Sequence, residues 1–296
     1  MARVLISGAS GLIGSAVVSA LKRRGDKVTR LVRHLPKTEN DIQWDPMREI
    51  PPELVSGYDA AIHLSGESVA GRWTEAKRRR IRESRVVSTR NLASALAKCG
   101  KPPQTFICAS AIGYYGDRGQ EILTDESASG TGFLPEVCRE WEGATEPATL
   151  VGIRTLNTRF GIVLSKHGGA LKQMLTPFRL GLGGRIGSGR QWWSWIHVAD
   201  VVSAIVWSAG NASIRGPINF TSPNPVRNAE FTRALAAALR RPAILPVPAF
   251  AARLALGEFA EEGLLASARV TPKKLLESGF EFRYPELRMA LLRLFS

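Results

Sequence analysis

The chain is poor in cysteine, histidine and lysine, and each shortage excludes something. Its three cysteines, Cys99, Cys108 and Cys138, cannot all pair, and none stands in a Cys-x-x-Cys. A disulfide framework and a thiolate metal site are therefore not expected, and a reducing, cytoplasmic location is. The four histidines, His34, His63, His167 and His197, share no ligand spacing, so no zinc site is expected. No run of about 18 apolar residues offers a membrane-spanning helix, and the opening MARVLISGAS has no basic region leading into an apolar stretch, so no secretory leader is expected. The glycine-rich stretch Gly181–Gly189 (GLGGRIGSG) lacks the Gly-Lys-Ser/Thr of a nucleoside-triphosphate loop.

What is present is an ordinary globular mixture: 296 residues, 44% hydrophobic and 22% charged, which excludes wholesale disorder. At about 150 residues per domain the length suits one large domain or two modest ones. The charge is one-sided, with 40 Lys+Arg against 26 Asp+Glu for a net +14, and 30 of the 40 are arginine. Such a surface favours anionic partners: nucleotides, phosphorylated substrates or nucleic acid.

Periodicity sorts the chain into alternating elements. Val4–Ile6 reads as a buried strand, and Ile13, Val17 and Leu21 recur every four positions in a helix from Leu12 to Arg24, stopped by Gly25. Lys27–Val32 is a second strand, and Asp59–Leu64 (DAAIHL) a third, nearly all apolar as strands covered on both faces are. A long helix, Thr74–Cys99, leads to a fourth strand, Thr105–Ala111, and Gly152–Leu164 holds a fifth. The alternation predicts an α/β fold: a Rossmann-type, doubly wound parallel sheet over 1–164, with 196–222 returning to it. Residues 165–195 and 223–296 would form a smaller, mainly helical substrate lobe. Within it a helix is expected over Asn224–Leu239, with amphipathic pieces around Leu254–Leu265 and Pro285–Leu294.

The motif GASGLIG joins the first strand to the first helix. Gly8 allows the tight turn, Gly11 lets the backbone approach a pyrophosphate, and Gly14 lets helix and strand pack closely. Ser10, Leu12 and Ile13 complete a loop whose amides face the anion. The second strand ends Leu31-Val32-Arg33-His34, with no acid until Glu39. An NAD site wants an acid there for the ribose hydroxyl; Val32–Arg33 instead suits the 2′-phosphate of NADP(H). Leu64-Ser65-Gly66-Glu67 ends the third strand and should border the cofactor, with Glu67 nearest the nicotinamide.

The long helix contains KRRRIRESR, Lys77–Arg85. At about 100° per residue these bases spread round the axis, which argues against a nucleic-acid face. Arg85 falls inside the apolar arc of Ile81, Leu92, Ala95, Leu96 and Cys99. A guanidinium there needs an internal acid or a bound phosphate; Arg80 points elsewhere.

These features, with ASAIGYYG (Ala109–Gly116) and WIHVAD, resemble the extended short-chain dehydrogenase/reductases. RWTEAKRRRIRESR, FLPEVCREWE, GGALKQMLTPFRLGLGG and LGEFAEEGLLASARVTPKKLLESGF resemble an atypical, sugar-nucleotide epimerase-like (cell-division-inhibitor-like) subgroup. The resemblance implies NADP binding around Gly8–Gly14, Val32–Arg33, Leu64–Ser65, Arg80 and Arg85, with a contact near Pro135. It also exposes departures. The superfamily's catalytic Asn, Ser/Thr, Tyr and Lys fall at Arg85, Ala111, Phe133 and Val137, none of which can do that work.

Replacement groups are therefore sought near the nicotinamide: Tyr115, with Tyr114 beside it, as proton carrier; Ser110 as donor to a carbonyl; Glu67 as general base. Each also has a bland reading, Tyr115 as a half-buried wall residue and Ser110 as a strand end. Arg179, Arg185 and Arg190 are candidates for a substrate phosphate, and Trp192, Trp193 and Trp195 for a stacking wall or for packing between lobes. His63 is expected in the core, and His197 with Asp200 at the return to the sheet. The expected activity is hydride transfer by an NADP(H)-dependent epimerase or reductase on a small anionic carbonyl or sugar-nucleotide substrate. The alternative is a catalytically weak NADPH-sensing regulator. Neither nucleic acid nor membrane is an expected partner.

Overall fold

Seven parallel strands frame the protein, and a computed structural model describes all 296 residues. They are β1 (Arg3–Ser7), β2 (Lys27–Val32), β3 (Asp41–Gln43), β4 (Ala60–His63), β5 (Thr105–Ala111), β6 (Arg154–Phe160) and β7 (Gly216–Phe220). Their order across the sheet is β7-β6-β5-β4-β1-β2-β3, and every pairing is parallel. The order reverses between β1 and β4, where Ser7 lies opposite His63. The chain leaves these two strands in opposite directions, which opens a crevice over their carboxyl ends.

The helices are α1 (Leu12–Arg23), α2 (Glu75–Lys98), α3 (Phe133–Gly143), α4 (Glu146–Leu150), α5 (Gly169–Arg179), α6 (Val198–Gly210), α7 (Asn228–Leu239), α8 (Ala249–Leu256), α9 (Lys273–Glu277) and α10 (Leu287–Phe295). Strand alternation divides the core between the two faces of the sheet. Val4 and Ile6 of β1 pack with Val17 and Leu21 of α1 and Val201 and Ile205 of α6. Leu5, between them in sequence, joins the opposite cluster with Leu92 and Leu96 of α2 and Trp141 of α3. All four residues of β4 are buried, as a strand covered on both faces requires. Gly25 ends the α1 segment at φ +88°, a left-handed position that suits glycine, and the Thr74 hydroxyl caps α2 by accepting from the Lys77 amide.

A third core cluster lies beyond the sheet. Leu171, Leu175 and Phe178 of α5 meet Trp193, Trp195, Phe231 of α7 and Leu291 of α10. Its helix α7 begins at Asn228 rather than Asn224, because Val226–Arg227 first pairs with Trp192–Trp193. The C-terminal stretch does not stay with this cluster. Leu275 and Phe280 pack in the sheet's own core, and Arg269–Val270 pairs with Ile122–Leu123. No helix is long and apolar enough to cross a membrane.

Candidate functional site

One continuous cleft runs over the carboxyl ends of the strands. Its first half, about 780 Å³, is bordered by Gly8–Gly11, the end of β2 and Leu64–Glu67. Its second, about 1010 Å³, shares Gly8, Gly11 and Leu64–Glu67 and continues past Leu12, Ile13 and Gly14 to Arg85, Ser110 and the third core cluster.

The glycine turn divides the two halves. Gly8 sits at φ +71°, and a Cβ there would lie 2.6 Å from the Leu64 carbonyl carbon. A Cβ on Gly14 would lie 2.1 Å from the Gly8 oxygen, so both glycines are sterically required. Gly11 is the N-cap of α1 in extended conformation, with no side-chain cap and no acid in the first turn. The amides of Leu12 and Ile13 therefore have no intrahelical acceptor and face an anion site reinforced by the helix dipole.

At the far end of the first half stand Val32, Arg33, His34 and Lys37. Glu39 is exposed in the loop beyond them, whereas Asp41 is buried and Arg30 holds its carboxylate through Nε and Nη2 at 2.7 Å each. The same carboxylate accepts from the Lys37 and Thr38 amides. Arg33 is exposed and its guanidinium takes no acid as partner, which leaves a positive edge for a phosphate.

In the second half, Glu67 receives a 2.7 Å hydrogen bond from Lys77 Nζ, and its amide donates to Ser84 Oγ at 3.0 Å. Lys77 holds the Glu67 carboxyl below the usual range, so it is ionised and a weak base at neutral pH. Arg85 lies over the Trp141 ring at 5.0 Å and donates to the Ile81 carbonyl at 3.0 Å. It has no carboxylate partner, and burial lowers its pKa. Glu67 and Arg85 are the only charged residues among those lining this half. Ser110 also lines it, and its Oγ donates to Glu142 Oε1 at 2.7 Å.

Tyr115 is not there. Its side chain is fully buried, and its hydroxyl meets Thr124 O at 2.8 Å and Asn219 Oδ1 at 2.7 Å while accepting from Arg159 Nη1 at 2.8 Å. Burial pushes the phenol up to about 12, the reverse of the lowering expected beside Arg85. The expectation that Tyr115 carries a proton to substrate is therefore corrected: it is a structural hydroxyl, partnered by Arg159 rather than Arg85. Tyr114 lies 3.5 Å beneath the Arg159 guanidinium, outside the cleft lining as well.

Other expectations need correction for the same reason, tertiary partners that spacing does not reveal. Trp193 and Trp195 are buried, their indole N–H groups donating to the Leu264 and Asn224 carbonyls. Trp192 is flanked by Arg227 and Arg269. None of the three borders the cleft. Arg179, Arg185 and Arg190 are exposed and outside it, so they form no phosphate site there. Arg80 is exposed on α2, near enough to act on Glu67 but not part of the lining. Pro135 is buried in α3 against Gly116 and lines neither half of the cleft. Phe133 and Val137 are buried; Phe133 packs against Trp73, with Arg78 over its ring. No tyrosine or lysine lines the second half.

The remaining histidine expectations describe core contacts. His63 is fully buried with Ser7 and Ser88 hydroxyls on its two nitrogens. His197 Nδ1 accepts from the Ala199 amide at the start of α6, and Asp200 accepts from the Arg283 and Tyr284 amides.

Four contributors escaped the sequence reading: Lys77, Glu142, Arg159 and Glu262. Arg159 carried a usable signal, because a charged residue that follows the neutral run Thr155–Thr158 in β6 poses the same burial problem as Arg85. Glu262 carried none, since its partners are amides at the start of α3, far away in sequence.

The strand order, the glycine turn at the reversal and the cleft above it define a Rossmann-type protein of the short-chain dehydrogenase/reductase class. Within that class the chain belongs to the NAD dependent epimerase/dehydratase family, which it matches over residues 4–220. Residues 247–294 match a domain of unknown function, DUF1731. The chain is 41% identical to Epimerase family protein ML0860 of Mycobacterium leprae over 97% of its own length and 94% of that protein's. Among solved structures it resembles human epimerase family protein SDR39U1 (isoform 2) with NADPH, at 32% identity and TM-score 0.89, covering 99% of this chain and 98% of that one. It also resembles the nucleoside-diphosphate sugar epimerase of Corynebacterium glutamicum, at 38% identity and TM-score 0.84, covering 99% of this chain and 58% of that one. The resemblance to an atypical short-chain dehydrogenase/reductase is thus borne out.

Proposed function

We propose that the protein binds NADP(H) along this cleft and acts as an NADP-dependent oxidoreductase or epimerase. The carrying observation is the pair of anion sites on one path: the uncapped amides of α1 and the acid-free edge at Arg33. The glycine turn fits a pyrophosphate, and the human relative crystallised with NADPH supports the choice of dinucleotide. When bound, the dinucleotide supplies or takes a hydride, interconverting a carbonyl and an alcohol carbon with one proton exchanged at oxygen.

The protein's own side chains orient the reactants. Arg85 offers a donor beside Gly66, a position where it meets a phosphate or a polarised oxygen. Glu67, anchored by Lys77, and Ser110, anchored by Glu142, fix the polar side of the second chamber. Arg33→Ala should weaken NADPH roughly tenfold to a hundredfold, the worth of a charge-assisted contact, and change NADH less than about twofold. Equal losses for the two nucleotides, read by fluorescence titration, overturn the NADP assignment.

A second reading is favoured by one observation, the lack of any tyrosine or lysine on the second chamber. On that reading the protein is an NADPH-sensing regulator. Tight NADPH binding with no oxidation across a carbonyl panel would select it over the enzyme.

A further inference from the structure

The walls of the second chamber differ sharply in chemistry. The wall nearest β4 and α2 carries Glu67, Arg85 and Ser110. The opposite wall, from Phe160 through α5 to Leu264, is formed largely of apolar side chains and glycines, and Gln173 is its one polar side chain. Met174, Pro177, Phe178, Leu182, Phe259 and Leu264 are among its apolar side chains.

A nucleoside diphosphate needs donors or cations at its phosphates. Arg179, Arg185 and Arg190, on α5 and the loop after it, are exposed and outside the chamber, and Arg159, next to Phe160, is committed to Glu142. The start of α5 is covered by an apolar side chain, for Leu12 Cδ2 lies 3.2 Å from where a Cβ on Gly169 would be.

Apolar character continues to the surface beside this wall. The loop after α5 runs next to the one before α8, joined by the Ile186–Val247 bridge and the Gly187 amide to the Val247 carbonyl. Along these loops and α8, Leu180, Leu182, Ile244, Phe250 and Leu254 are all more than half exposed. Scattered single apolar residues on a surface are ordinary, but a grouped set bordering a chamber marks a ligand route.

We infer that the second chamber takes an apolar-bodied carbonyl compound or secondary alcohol rather than a nucleotide sugar. Its oxygen faces Arg85 and Ser110, and its body rests on Met174, Phe178, Leu182 and Phe259. This rests on the NADP(H) reading for the cofactor half, and it replaces the anionic substrate expected from the sequence.

The test uses full-length protein saturated with NADPH and the apolar naphthyl ketone prodan, whose emission reports its surroundings. Prodan should bind with blue-shifted emission, and UDP-glucose should not displace it. Met174→Glu and Leu182→Glu should each weaken prodan roughly tenfold, because a carboxylate is set into an apolar wall, while leaving the NADPH affinity unchanged. Leu182 is 54% exposed, so its substitution keeps the fold testable even if the Met174 variant is unstable. Displacement by UDP-glucose, or prodan affinity indifferent to both substitutions, overturns the inference. Failure of wild-type protein to bind NADPH at all strikes the cofactor reading instead.

Discussion

Two buried arginines meet the same cost in opposite ways. Arg159, 2% exposed, gives Glu142 a bidentate pair at 2.8 Å through Nε and Nη2 and gives the Tyr115 hydroxyl a third bond through Nη1. Its charge is answered inside the protein, so it braces β6 against α3 and leaves nothing for a ligand. Arg85 has a carbonyl, the Ser84 hydroxyl at 3.5 Å and an aromatic face but no carboxylate, and it borders the cleft. That contrast makes Tyr115 part of the brace. Tyr115→Phe should cost about 1–2 kcal/mol of stability, as a buried bonding partner is lost. It should leave NADPH affinity and any turnover intact. Chemical denaturation beside a kinetic assay reads both, and lost turnover at full stability would return Tyr115 to the chemistry.

At the scale of elements, two helix starts are finished differently. The first turn of α1 has no side-chain cap and opens on the cleft. The first turn of α3 is closed by Glu262, whose Oε1 and Oε2 accept from the Phe133 amide at 2.9 Å and the Leu134 amide at 2.7 Å. Gly132, at φ +116°, leaves room for that carboxylate: a Cβ there would lie 3.0 Å from Glu262 Oε1. A negative group on two orphan amides at a helix N-terminus is favourable through both hydrogen bonds and dipole. Glu262→Ala should therefore destabilise the protein by about 1–2 kcal/mol, the range of a lost cap. Amide exchange should speed up at Phe133 and Leu134 first. Unchanged protection at those two amides would show that the 247–294 segment does not hold α3.

At the scale of the whole molecule, many of the 40 basic side chains serve the fold rather than a ligand. Arg30, Arg82, Arg118 and Arg159 pair with acids, and Arg154 is held by the Ser208, Ala209 and Ile214 carbonyls. Global stability depends more visibly on His63, which joins β1, β4 and α2 through Ser7 and Ser88. Burial lowers its pKa from 6.5 to about 4, so the folded protein holds it neutral while the unfolded chain takes up a proton. The stabilisation is complete above pH 6.5 and is lost as pH falls toward 4. At about 1.4 kcal/mol per unit it is worth on the order of 3 kcal/mol. Burial also lowers His197 to about 4, which adds to the same fall, and raises the carboxyl pKa of Asp125 and Asp200, which acts in the opposite sense in acid. A variant therefore isolates the histidine better than the parent slope does. His63→Gln should flatten the fall in unfolding free energy between pH 6.5 and 4, and an unchanged slope would remove His63 as its source.

The amino-acid sequence by itself determined the sheet and the cofactor end of the cleft. Strand alternation at Val4–Ile6, the helical period of Ile13, Val17 and Leu21, and the glycines of GASGLIG depend on neighbours within a few residues, and those are printed in order along the chain. The missing acid after Val32 was legible for the same reason. The placing of Tyr115, Trp193 and Trp195 and of the lobe arginines was not. Tyr115 is held by Arg159, 44 residues away, and by Asn219, 104 residues away. Whether a polar group faces a cleft or a partner depends on what folding brings beside it, and a sequence window contains neither. Tertiary structure alone decided that no carboxylate is bonded to Arg85, that Glu262 closes α3, and that the far wall of the second chamber is apolar.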